Sequence, residues 1–468
     1  MPIFITNSLT RKKEEFIPLK PPKVNIYTCG VTVYDECHIG HARSLYIFEV
    51  MRRYLEYRGF KVNFVRNITD IDDKIINRAK ELGKDWKELV GLYIERYDED
   101  LKALGIGKAG AEPRATENIP DMVNYIKELI KEGYAYVTNT GVYFSVRKFS
   151  EYGKLSGQGI EQMFSGVRKE PDETKEDPLD FALWKISKPG EPSWPSDWGA
   201  GRPGWHIECS VMSQKFLKTD TLDIHAGGRD LIFPHHENEI AQSEALTRKP
   251  FAKYWIHHGL LTINGQKMAK SLGNFITIQD VLSRYPADIL KIFYLQAHYS
   301  SPIDFSWEKM EEAKQAYERI LILMNKAKKA TGAEGHKVRS EKSEDTEEIK
   351  NKFMEAMDDD FNTPQALASI FELITFTNKN IEDFDFLQKS VQRLRELLGI
   401  FGISLETEAR LEKIETKDEV VENMIKQREK ARKEKNFAHS DKIRKELEEK
   451  GIILEDTKDN KTTWRRKL

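Results

Sequence analysis

A strand–helix–strand pattern near the N-terminus constrains the fold more than any other feature of the sequence. Residues 24–28 (Val-Asn-Ile-Tyr-Thr) and residues 61–65 (Lys-Val-Asn-Phe-Val) are short apolar runs typical of buried strands. Between them, residues 38–60 carry apolar side chains at helical spacing, and Gly59 marks the end of the helix. Because a strand that returns through a helix lies parallel to the first strand, the sequence predicts a parallel α/β sheet.

The region after this unit indicates an insertion into the sheet. Helical spacing dominates from about residue 72 to 132, and a Gly-, Pro- and Trp-rich region then runs from about residue 134 to 204. This composition breaks the alternation of strands and helices. Strand signals resume at residues 223–226 and 254–258, so we interpret the middle region as an insertion between two halves of one sheet.

The second half of the chain predicts helices and a small last unit. From Lys309 onward apolar residues recur at helical spacing, except in the polar stretch 331–347, which predicts a flexible loop. The last unit begins near Lys417. Residues 425–468 contain 15 Lys and Arg against 9 Asp and Glu, which indicates an RNA contact. A solvated, salt-bridged helix also explains these charges and is favoured on charge alone.

The overall composition excludes few functions. The 468 residues exceed what one core usually holds, so we expect two to four units. With 74 Lys and Arg against 76 Asp and Glu, any face that binds nucleic acid must be local. The sequence contains no apolar run long enough to span a bilayer, and we expect a cytoplasmic protein. Cys29, Cys37 and Cys209 are too few for a disulfide framework, which favours reduced thiols or a metal site.

Two short motifs suggest phosphate chemistry. His38-Ile-Gly-His41 lies where a strand and loop lead into a helix, and free backbone N–H groups in a first turn favour an anion. Gly40 lets a base or sugar approach the backbone closely. Lys267-Met-Ala-Lys-Ser271 follows a tight-turn signal, so two ammonium groups on a loop could surround a triphosphate. Alone, the histidine pair is more typical of surface residues or helix caps, and the lysines are more typical of solvent-facing side chains.

In this order, the two motifs resemble the HIGH and KMSKS signatures of class I aminoacyl-tRNA synthetases. The resemblance implies that His38, His41 and Lys270 stabilise the transition state when the amino-acid carboxylate attacks the α-phosphate of ATP. It places Gly40 and Lys267 in the same ATP site. The family usually has serine where this chain has Ala269, which predicts altered loop closure with the chemistry intact.

Four scattered residues suggest a metal site. Residues 233–234 (Phe-Pro) predict a helix start with proline in the first turn, so His235 and Glu239 would share one helical face. Cys29 ends the first strand, and we expect Cys209 at the end of a second strand. Because parallel strands end at one edge of a sheet, these four side chains could meet there, and two thiolates, an imidazole and a carboxylate suit zinc. On spacing alone, two buried thiols and an unrelated helix cap are favoured over a zinc site.

The segments around these residues resemble the zinc-binding segments of cysteinyl-tRNA synthetases. Residues 201–210 (Gly-Arg-Pro-Gly-Trp-His-Ile-Glu-Cys-Ser) and 233–239 (Phe-Pro-His-His-Glu-Asn-Glu) carry the resemblance, which extends over the whole chain. It implies that zinc also binds the thiolate of substrate cysteine. A steric pocket rejects serine poorly, whereas a thiophilic metal prefers sulfur strongly. The insertion is too short for a separate hydrolytic domain, so we expect no editing.

The resemblance also implies residues that contact substrates. Thr69, Trp205 and His225 would line the amino-acid pocket, although Thr69 or Asp70 could instead cap the next helix and Trp205 could fill a core. Gly228 would let adenosine approach, and Asp230 could accept hydrogen bonds from the ribose hydroxyls. At the C-terminus an aromatic residue and two cations suit unpaired bases and phosphates, so the tRNA-binding residues would be Trp464, Arg465 and Arg466.

The implied fold class is α/β: a Rossmann-type parallel-sheet catalytic domain with an insertion, then a helical bundle and a small C-terminal anticodon-binding domain. We expect six segments: the first half of the catalytic domain (1–120), the connective insertion (121–200), the second half (201–258), the KMSKS-loop stem-contact region (259–310), the helical bundle (311–402) and the anticodon-binding domain (403–468).

The implied activity is that of a cysteine–tRNA ligase. Cysteine and ATP, with Mg²⁺ and one Zn²⁺ per chain, would give cysteinyl-adenylate, and the acyl group would pass to the 3′-terminal adenosine of tRNA(Cys). We expect a monomer with no membrane partner. One alternative is a related zinc-dependent ligase that acylates an amino-sugar in thiol biosynthesis, and the basic ending with Trp464 disfavours it. Another is a non-catalytic zinc- and RNA-binding relative, which retention of the histidines and lysines of both motifs disfavours.

Overall fold

The computed structural model describes residues 1–160, 174–269, 272–330 and 343–405, and, in the last unit, residues 421, 423–432, 434, 436–449, 452–456 and 462–466. The chain begins with an antiparallel hairpin of β1 (Phe4–Asn7) and β2 (Lys12–Glu15). Strand β3 (Lys23–Thr28), helix α1 (Ile39–Tyr57) and strand β4 (Lys61–Arg66) follow, and β3 and β4 pair in parallel. The strand–helix–strand prediction is therefore confirmed.

The helix boundaries follow from local chemistry. The His38 ring accepts hydrogen bonds from the N–H groups of Gly40 and His41, which caps α1, and Gly59 takes a left-handed φ of 87° just after its end. Helices α2 (Asp73–Leu82) and α3 (Trp86–Ala103) are capped by aspartates. A 3₁₀ turn (Ala115–Asn118) then leads into α4 (Ile119–Lys131).

The Gly-, Pro- and Trp-rich region is an antiparallel sheet. Its strands lie in chain order, with a 3₁₀ turn (Val146–Lys148) between the second and third: β5 (Ala135–Val137), β6 (Gly141–Phe144), β7 (Phe181–Ile186) and β8 (Gly201–Pro203). Trp184 is fully buried within this part of the molecule. An antiparallel sheet inside an otherwise parallel α/β unit confirms that this region is an insertion.

The chain then completes the parallel sheet. Helix α5 (Trp205–Leu217) leads to β9 (Leu222–Gly228), and two short helical turns (Arg229–Leu231 and Ile232–His236) precede α6 (Glu237–Thr247) and β10 (Ala252–His258). The strand order is β10-β9-β3-β4, with all pairs parallel. Strands from both halves of the chain are neighbours in the middle of the sheet, so their carboxyl ends form one edge.

A small sheet and a helical region follow. The elements up to the bundle are β11 (Leu261–Ile263), β12 (Gln266–Lys267), α7 (Ile278–Leu282), α8 (Ala287–Leu295) and β13 (Ile303–Phe305), with strand order β12-β11-β13. The bundle consists of α9 (Trp307–Ala330), α10 (Ser343–Asp358), α11 (Thr363–Lys379) and α12 (Phe384–Ile400). The last unit contains α13 (Phe437–Glu449) and a hairpin of β14 (Ile452–Asp456) and β15 (Thr462–Arg466).

One part of the predicted flexible loop is wrong. Residues 331–342 lie outside the described residues, but 343–347 form the first part of α10. Ile349 and Phe353 of this helix are buried, and the packing of that apolar face extends the helix into the polar sequence before it.

Two aspartates at and just after the end of α10 attach the bundle to the N-terminal part of the chain. Asp358 accepts hydrogen bonds from Tyr54 of α1 (2.5 Å) and from Arg58, which follows α1. Asp360 accepts from the backbone and hydroxyl of Thr6 (2.7 and 2.6 Å) and from the hydroxyl of Tyr299 (2.7 Å). One large apolar core runs from α1 and the sheet into the bundle, and a second lies under the insertion. Across the described ranges, the helices all lack the length and apolarity needed to cross a membrane.

Candidate metal centre and nucleotide site

Cys29, Cys209, His235 and Glu239 come together at the carboxyl edge of the parallel sheet. Their donor atoms all lie within 4.8 Å of one another. The two Sγ atoms are 3.7 Å apart, and Cys209 Sγ is 3.6 Å from His235 Nε2. Glu239 Oε1 lies 3.0 Å from His235 Nε2 and 3.5 Å from Cys29 Sγ. The predicted set of four is thus brought into one compact cluster.

The elements that carry these residues differ in part from the prediction. Cys29 follows β3 as expected, but the expectation that Cys209 ends a strand is wrong, because it lies inside helix α5. Buried Ile207 and Val211 recur at helical spacing around it, and the strand before it ends at Pro203.

The helix that begins near Phe233 in the prediction begins instead at Glu237. A wider turn precedes it, in which Phe233 has a non-helical backbone. His235 still meets Glu239 four residues later, because this turn continues into α6.

The geometry of the cluster fits a tetrahedral zinc ion. With zinc–sulfur bonds of about 2.3 Å, two thiolates on a tetrahedral ion lie about 3.8 Å apart, close to the observed separation. Cys209, His235 and Glu239 are almost completely buried. Burial without compensation would raise the pKa of Glu239, but the imidazoles of His225 and His235 lower it to about 2. A buried, ionised carboxylate beside two thiols favours a cation.

Histidines that the sequence argument did not assign to the metal form a second layer. His225 Nε2 lies 2.7 Å from Glu239 Oε2, and His236 Nε2 lies 3.3 Å from Cys29 Sγ. His236 is joined through its Nδ1 to His257 (2.8 Å), which reaches the hydroxyl of Ser8 (2.8 Å). Such contacts fix the orientation of metal ligands. Cys29, His225, His236 and Glu239 also form a second cluster of possible ligands.

The predicted pocket residues surround this cluster. Trp205 is 36% exposed and stacks on the His235 ring, with centroids 4.0 Å apart. Its indole therefore covers one face of His235, a candidate metal ligand, and is exposed on its other side. Beside it lies a cavity of about 490 Å³, which Thr32 and His206 also line. His225 is completely buried and stacks on Trp255. It contacts Glu239 behind the cluster.

Thr69 is buried and donates a hydrogen bond to Glu208 Oε2 (2.8 Å). The alternative that Thr69 or Asp70 caps the next helix is wrong, because Asp72 caps α2 and Asp70 bonds to Thr116. Burial, and then the neighbouring Cys209, raise the pKa of Glu208 well above its usual value. Sequence reasoning missed Glu208, although an acidic residue next to a predicted ligand was a usable signal.

The first-turn histidines present uncharged donors. The His38 and His41 rings stack, with centroids 3.7 Å apart. Nδ1 of each ring accepts a backbone N–H, from Gly40 (3.0 Å) and from His38 (3.2 Å) respectively. Burial lowers the pKa of His38 to about 4 and that of His41 well below its usual value. Each neutral imidazole therefore carries its proton on Nε2, where it can donate to a phosphate oxygen.

The two motifs meet in space. His38 lines a cavity of about 460 Å³ together with Met268 and Ala269. The side-chain amide of Asn274 links the two ends of the loop: its Oδ1 accepts from Ala269 N–H (2.8 Å), and its Nδ2 donates to the carbonyl of Lys267 (3.2 Å). Lys267 is exposed at the end of β12, whereas Lys270 lies outside the described residues.

The remaining predicted residues lie at two separate places. Gly228 ends β9, and Asp230 is exposed just beyond it. The charge of Asp230 raises the pKa of His38 and so offsets part of the lowering that burial causes. This placement brings Asp230 to the same edge as the first-turn histidines. Trp464, Arg465 and Arg466 lie in β15, paired with residues 452–454 of β14.

Comparisons with known proteins agree with this geometry. Residues 15–315 match the model of the tRNA synthetases class I (C) catalytic domain. Residues 352–406 match a DALR domain, and residues 418–465 match a cysteinyl-tRNA ligase anticodon binding domain.

Full-length relatives are similar along the whole chain. A cysteine–tRNA ligase of Persephonella marina is 49% identical over 495 residues, with 100% of both chains covered. That of Aquifex aeolicus is 47% identical over 500 residues, covering 100% of this chain and 99% of the relative. A solved structure of Mycobacterium tuberculosis methionyl-tRNA synthetase with methionyl-adenylate has a TM-score of 0.63 at 13% identity, covering 83% of this chain and 92% of that one. At that identity it shows the fold alone.

The cluster predicts that the purified protein retains about one zinc per chain. Cys209→Ser removes one of two thiolates and should abolish retention under a chelator that the wild type withstands. Cys37→Ser is the matched control, because Cys37 is also buried but lies outside both clusters. Metal analysis after dialysis measures this, and equal zinc in both variants would contradict the assignment.

Proposed function

The chain belongs to the cysteinyl-tRNA synthetases, class I enzymes that ligate cysteine to tRNA, and on this premise we propose that it selects cysteine through zinc held by Cys29, Cys209, His235 and Glu239. The observation that carries the proposal is the close spacing of these four donors, which fits a tetrahedral ion. Bound there, zinc would act as a Lewis acid that favours a thiolate over a neutral hydroxyl.

The surrounding residues explain how the site would distinguish cysteine from serine. The two amino acids differ by one atom, so shape alone discriminates weakly. Trp205 exposes its indole over His235 and would pack against the substrate while excluding water. His225 holds Glu239 from behind, which fixes the direction of that carboxylate. Thr69 donates a hydrogen bond to the buried Glu208, the residue next to Cys209, and would help to shape this side of the pocket.

Activation would take place in the cavity between the two motifs. We propose that the Nε2–H groups of His38 and His41 donate to the phosphates of ATP, with Gly40 leaving room for the nucleotide. Lys267 and Lys270 would neutralise the charge that builds up as pyrophosphate leaves, with Mg²⁺ bound to ATP. Gly228 and Asp230 would contact adenosine and its ribose.

In this step a carboxylate oxygen of cysteine attacks the α-phosphorus, the bond to the bridging oxygen of the β-phosphate breaks, and cysteinyl-adenylate and pyrophosphate result. The cysteine carboxylate lies between the metal cluster and the first-turn histidines in this arrangement, so its thiol and its reacting oxygen are held by different parts of one sheet edge. Binding both ends of so small a substrate is what positions it for attack.

Transfer to tRNA would use the whole chain. We assign 1–120 and 201–258 to the catalytic domain, 121–200 to the connective insertion and 259–310 to the stem-contact region. The bundle (311–402) would carry the anticodon-binding domain (403–468), in which Trp464, Arg465 and Arg466 contact RNA. The match of residues 418–465 to an anticodon binding domain supports a tRNA acceptor over an amino-sugar. We propose that a monomer performs both steps.

Cysteine-dependent exchange of pyrophosphate into ATP tests the activation step. We expect exchange with cysteine and, at equal concentration, a rate with serine lower by at least about 10⁴-fold, because only a thiolate gains the metal bond. Cys209→Ser should lose exchange together with zinc. Exchange that persists in a zinc-free Cys209→Ser protein would show that another feature selects the amino acid.

Removal of residues 417–468 tests the assignment of the last unit. The truncated protein should keep cysteine-dependent exchange, since the cluster and both motifs lie before residue 272. Its kcat/KM for tRNA charging should fall on the order of a hundredfold, equivalent to about 3 kcal/mol of lost tRNA binding. Equal losses of exchange and charging would instead show that this unit stabilises the whole protein and has no specific role in tRNA binding.

A further inference from the structure

Arg43 is a buried cation that the proposed mechanism does not use. It lies in α1, two residues after His41, and its side chain is completely buried. Among the described residues, no carboxylate comes within 4.0 Å of its guanidinium. Burial lowers its pKa to about 10, so it stays charged at neutral pH. A buried cation without a counter-ion is costly unless its N–H groups are all well bonded.

Four backbone carbonyls accept hydrogen bonds from the two terminal nitrogens of the guanidinium, whereas its Nε is buried without a hydrogen-bond partner. One terminal nitrogen donates to the carbonyls of Gly259 (2.7 Å) and Leu260 (3.0 Å). The other donates to those of Ser301 (2.6 Å) and Tyr299 (3.3 Å). Leu260 immediately precedes β11, and Ser301 lies just before β13, its parallel partner. Arg43 therefore binds the base of the small sheet whose outer strand, β12, ends at Lys267.

Residues 259–260 and residues 299–301 lie close enough for one side chain to reach both segments. A Cβ atom on Gly259 would lie 2.2 Å from the carbonyl oxygen of Ser301, so only glycine allows the segments to lie this close. Gly259 N–H also donates to the carbonyl of Tyr299 (2.9 Å), and Ile303 N–H donates to that of Leu260 (3.0 Å). The base of the sheet is thus one rigid unit.

The lysine-bearing loop is attached to α1 at both of its ends. After the loop, Ile276 accepts a hydrogen bond from Ile39 N–H (3.2 Å), and Ile278 donates to the carbonyl of Cys37 (3.0 Å). These downstream contacts use backbone atoms alone. Upstream of the loop, the described hydrogen bonds to α1 come from a side chain, that of Arg43, beside the apolar packing of Leu261 and Ile263. Loss of this side chain would remove the hydrogen bonds at one end of the loop and leave those at the other end in place.

We propose that Arg43 is a positioning residue for cysteine activation, holding the β11–β12 hairpin and its Lys267 at the working distance from the His38–His41 turn. The inference rests on the proposed function, because it concerns the same step. Helix α1 carries the phosphate-binding histidines in its first turn and, one turn later, fixes the base of the lysine hairpin. It therefore holds the two halves of the phosphate site at a fixed distance from each other. A displacement of about 1 Å in such a site costs on the order of a hundredfold in rate.

Arginine is required here because of its shape as well as its charge. A planar fork with five N–H groups can donate to carbonyls on two segments at once, whereas an ammonium has only three donors and no fixed plane. Lysine at this position keeps the cation and loses the bridge. Arg43→Lys therefore separates positioning from charge.

The test compares Arg43→Lys with Arg58→Lys. Arg58 caps the other end of the same helix and attaches it to Asp358, so it is a matched control outside the phosphate site. In Arg43→Lys we expect kcat for cysteine-dependent exchange to fall on the order of a hundredfold, with KM for cysteine and zinc content nearly unchanged. Arg58→Lys should retain the exchange rate of the wild type.

Two further measurements keep the inference falsifiable. Gly259→Ala should lower kcat in the same way, because it separates the two segments while Arg43 remains. Tryptic cleavage after Lys267, which ATP should slow in the wild type, should lose that protection in both variants. An unchanged kcat in either variant overturns the proposal, and so does a fall in activity that only matches a loss of folded or zinc-bound protein. If Arg43→Lys does not fold, Gly259→Ala decides the question.

A failure of the proposed function can be distinguished from a failure of the positioning role. A wild type without cysteine-dependent exchange contradicts the proposed reaction, whereas the cleavage experiment still reports whether Arg43 holds the hairpin. ATP protection that persists in Arg43→Lys and Gly259→Ala would then reject the positioning role by itself.

Discussion

The burial of two thiols, an imidazole and a carboxylate at one edge of a parallel sheet is the constraint around which the catalytic half of this molecule is arranged. Such a set is costly to bury without a cation, yet its donors lie at the spacing of a tetrahedral ion. The two halves of the chain supply it jointly: Cys29 comes from the first half, and Cys209, His235 and Glu239 from the second. The insertion lies between them in sequence, yet β3 before Cys29 and β9 before the turn with His235 are direct neighbours in the sheet.

The same edge holds the turn that we propose to bind the phosphates. His38 and His41 follow β3, the strand that ends just before Cys29, so the cluster of possible metal ligands and this turn share one support. Burial keeps both imidazoles neutral, with their free protons on Nε2. The lysine hairpin belongs to a different sheet and has to be held against this turn. We assign that task to Arg43, whose two terminal nitrogens donate to four backbone carbonyls of that sheet's base.

Much of this arrangement could be predicted from the sequence, and the exceptions have physical reasons. The spacing of apolar residues and the positions of Gly and Pro were enough to predict the strand–helix–strand unit and the insertion. The placement of Cys209 on a strand failed because residues 203–209 suit either state, and tertiary packing of Ile207 and Val211 decides for a helix. His236, His257 and Ser8 escaped notice because their contacts join segments far apart in sequence. Arg43 gave no signal, since an arginine in a helix is ordinarily exposed.

The most direct test of the account is X-ray absorption at the zinc edge, recorded on the zinc-loaded protein alone, with saturating cysteine and with serine. The account predicts two sulfur ligands at about 2.3 Å in the free protein and a third only with cysteine, because the substrate thiolate joins the metal. Serine should leave the spectrum at two sulfurs. Two sulfurs in the presence of bound cysteine would contradict the central claim, since the amino acid would then be chosen without contact to zinc.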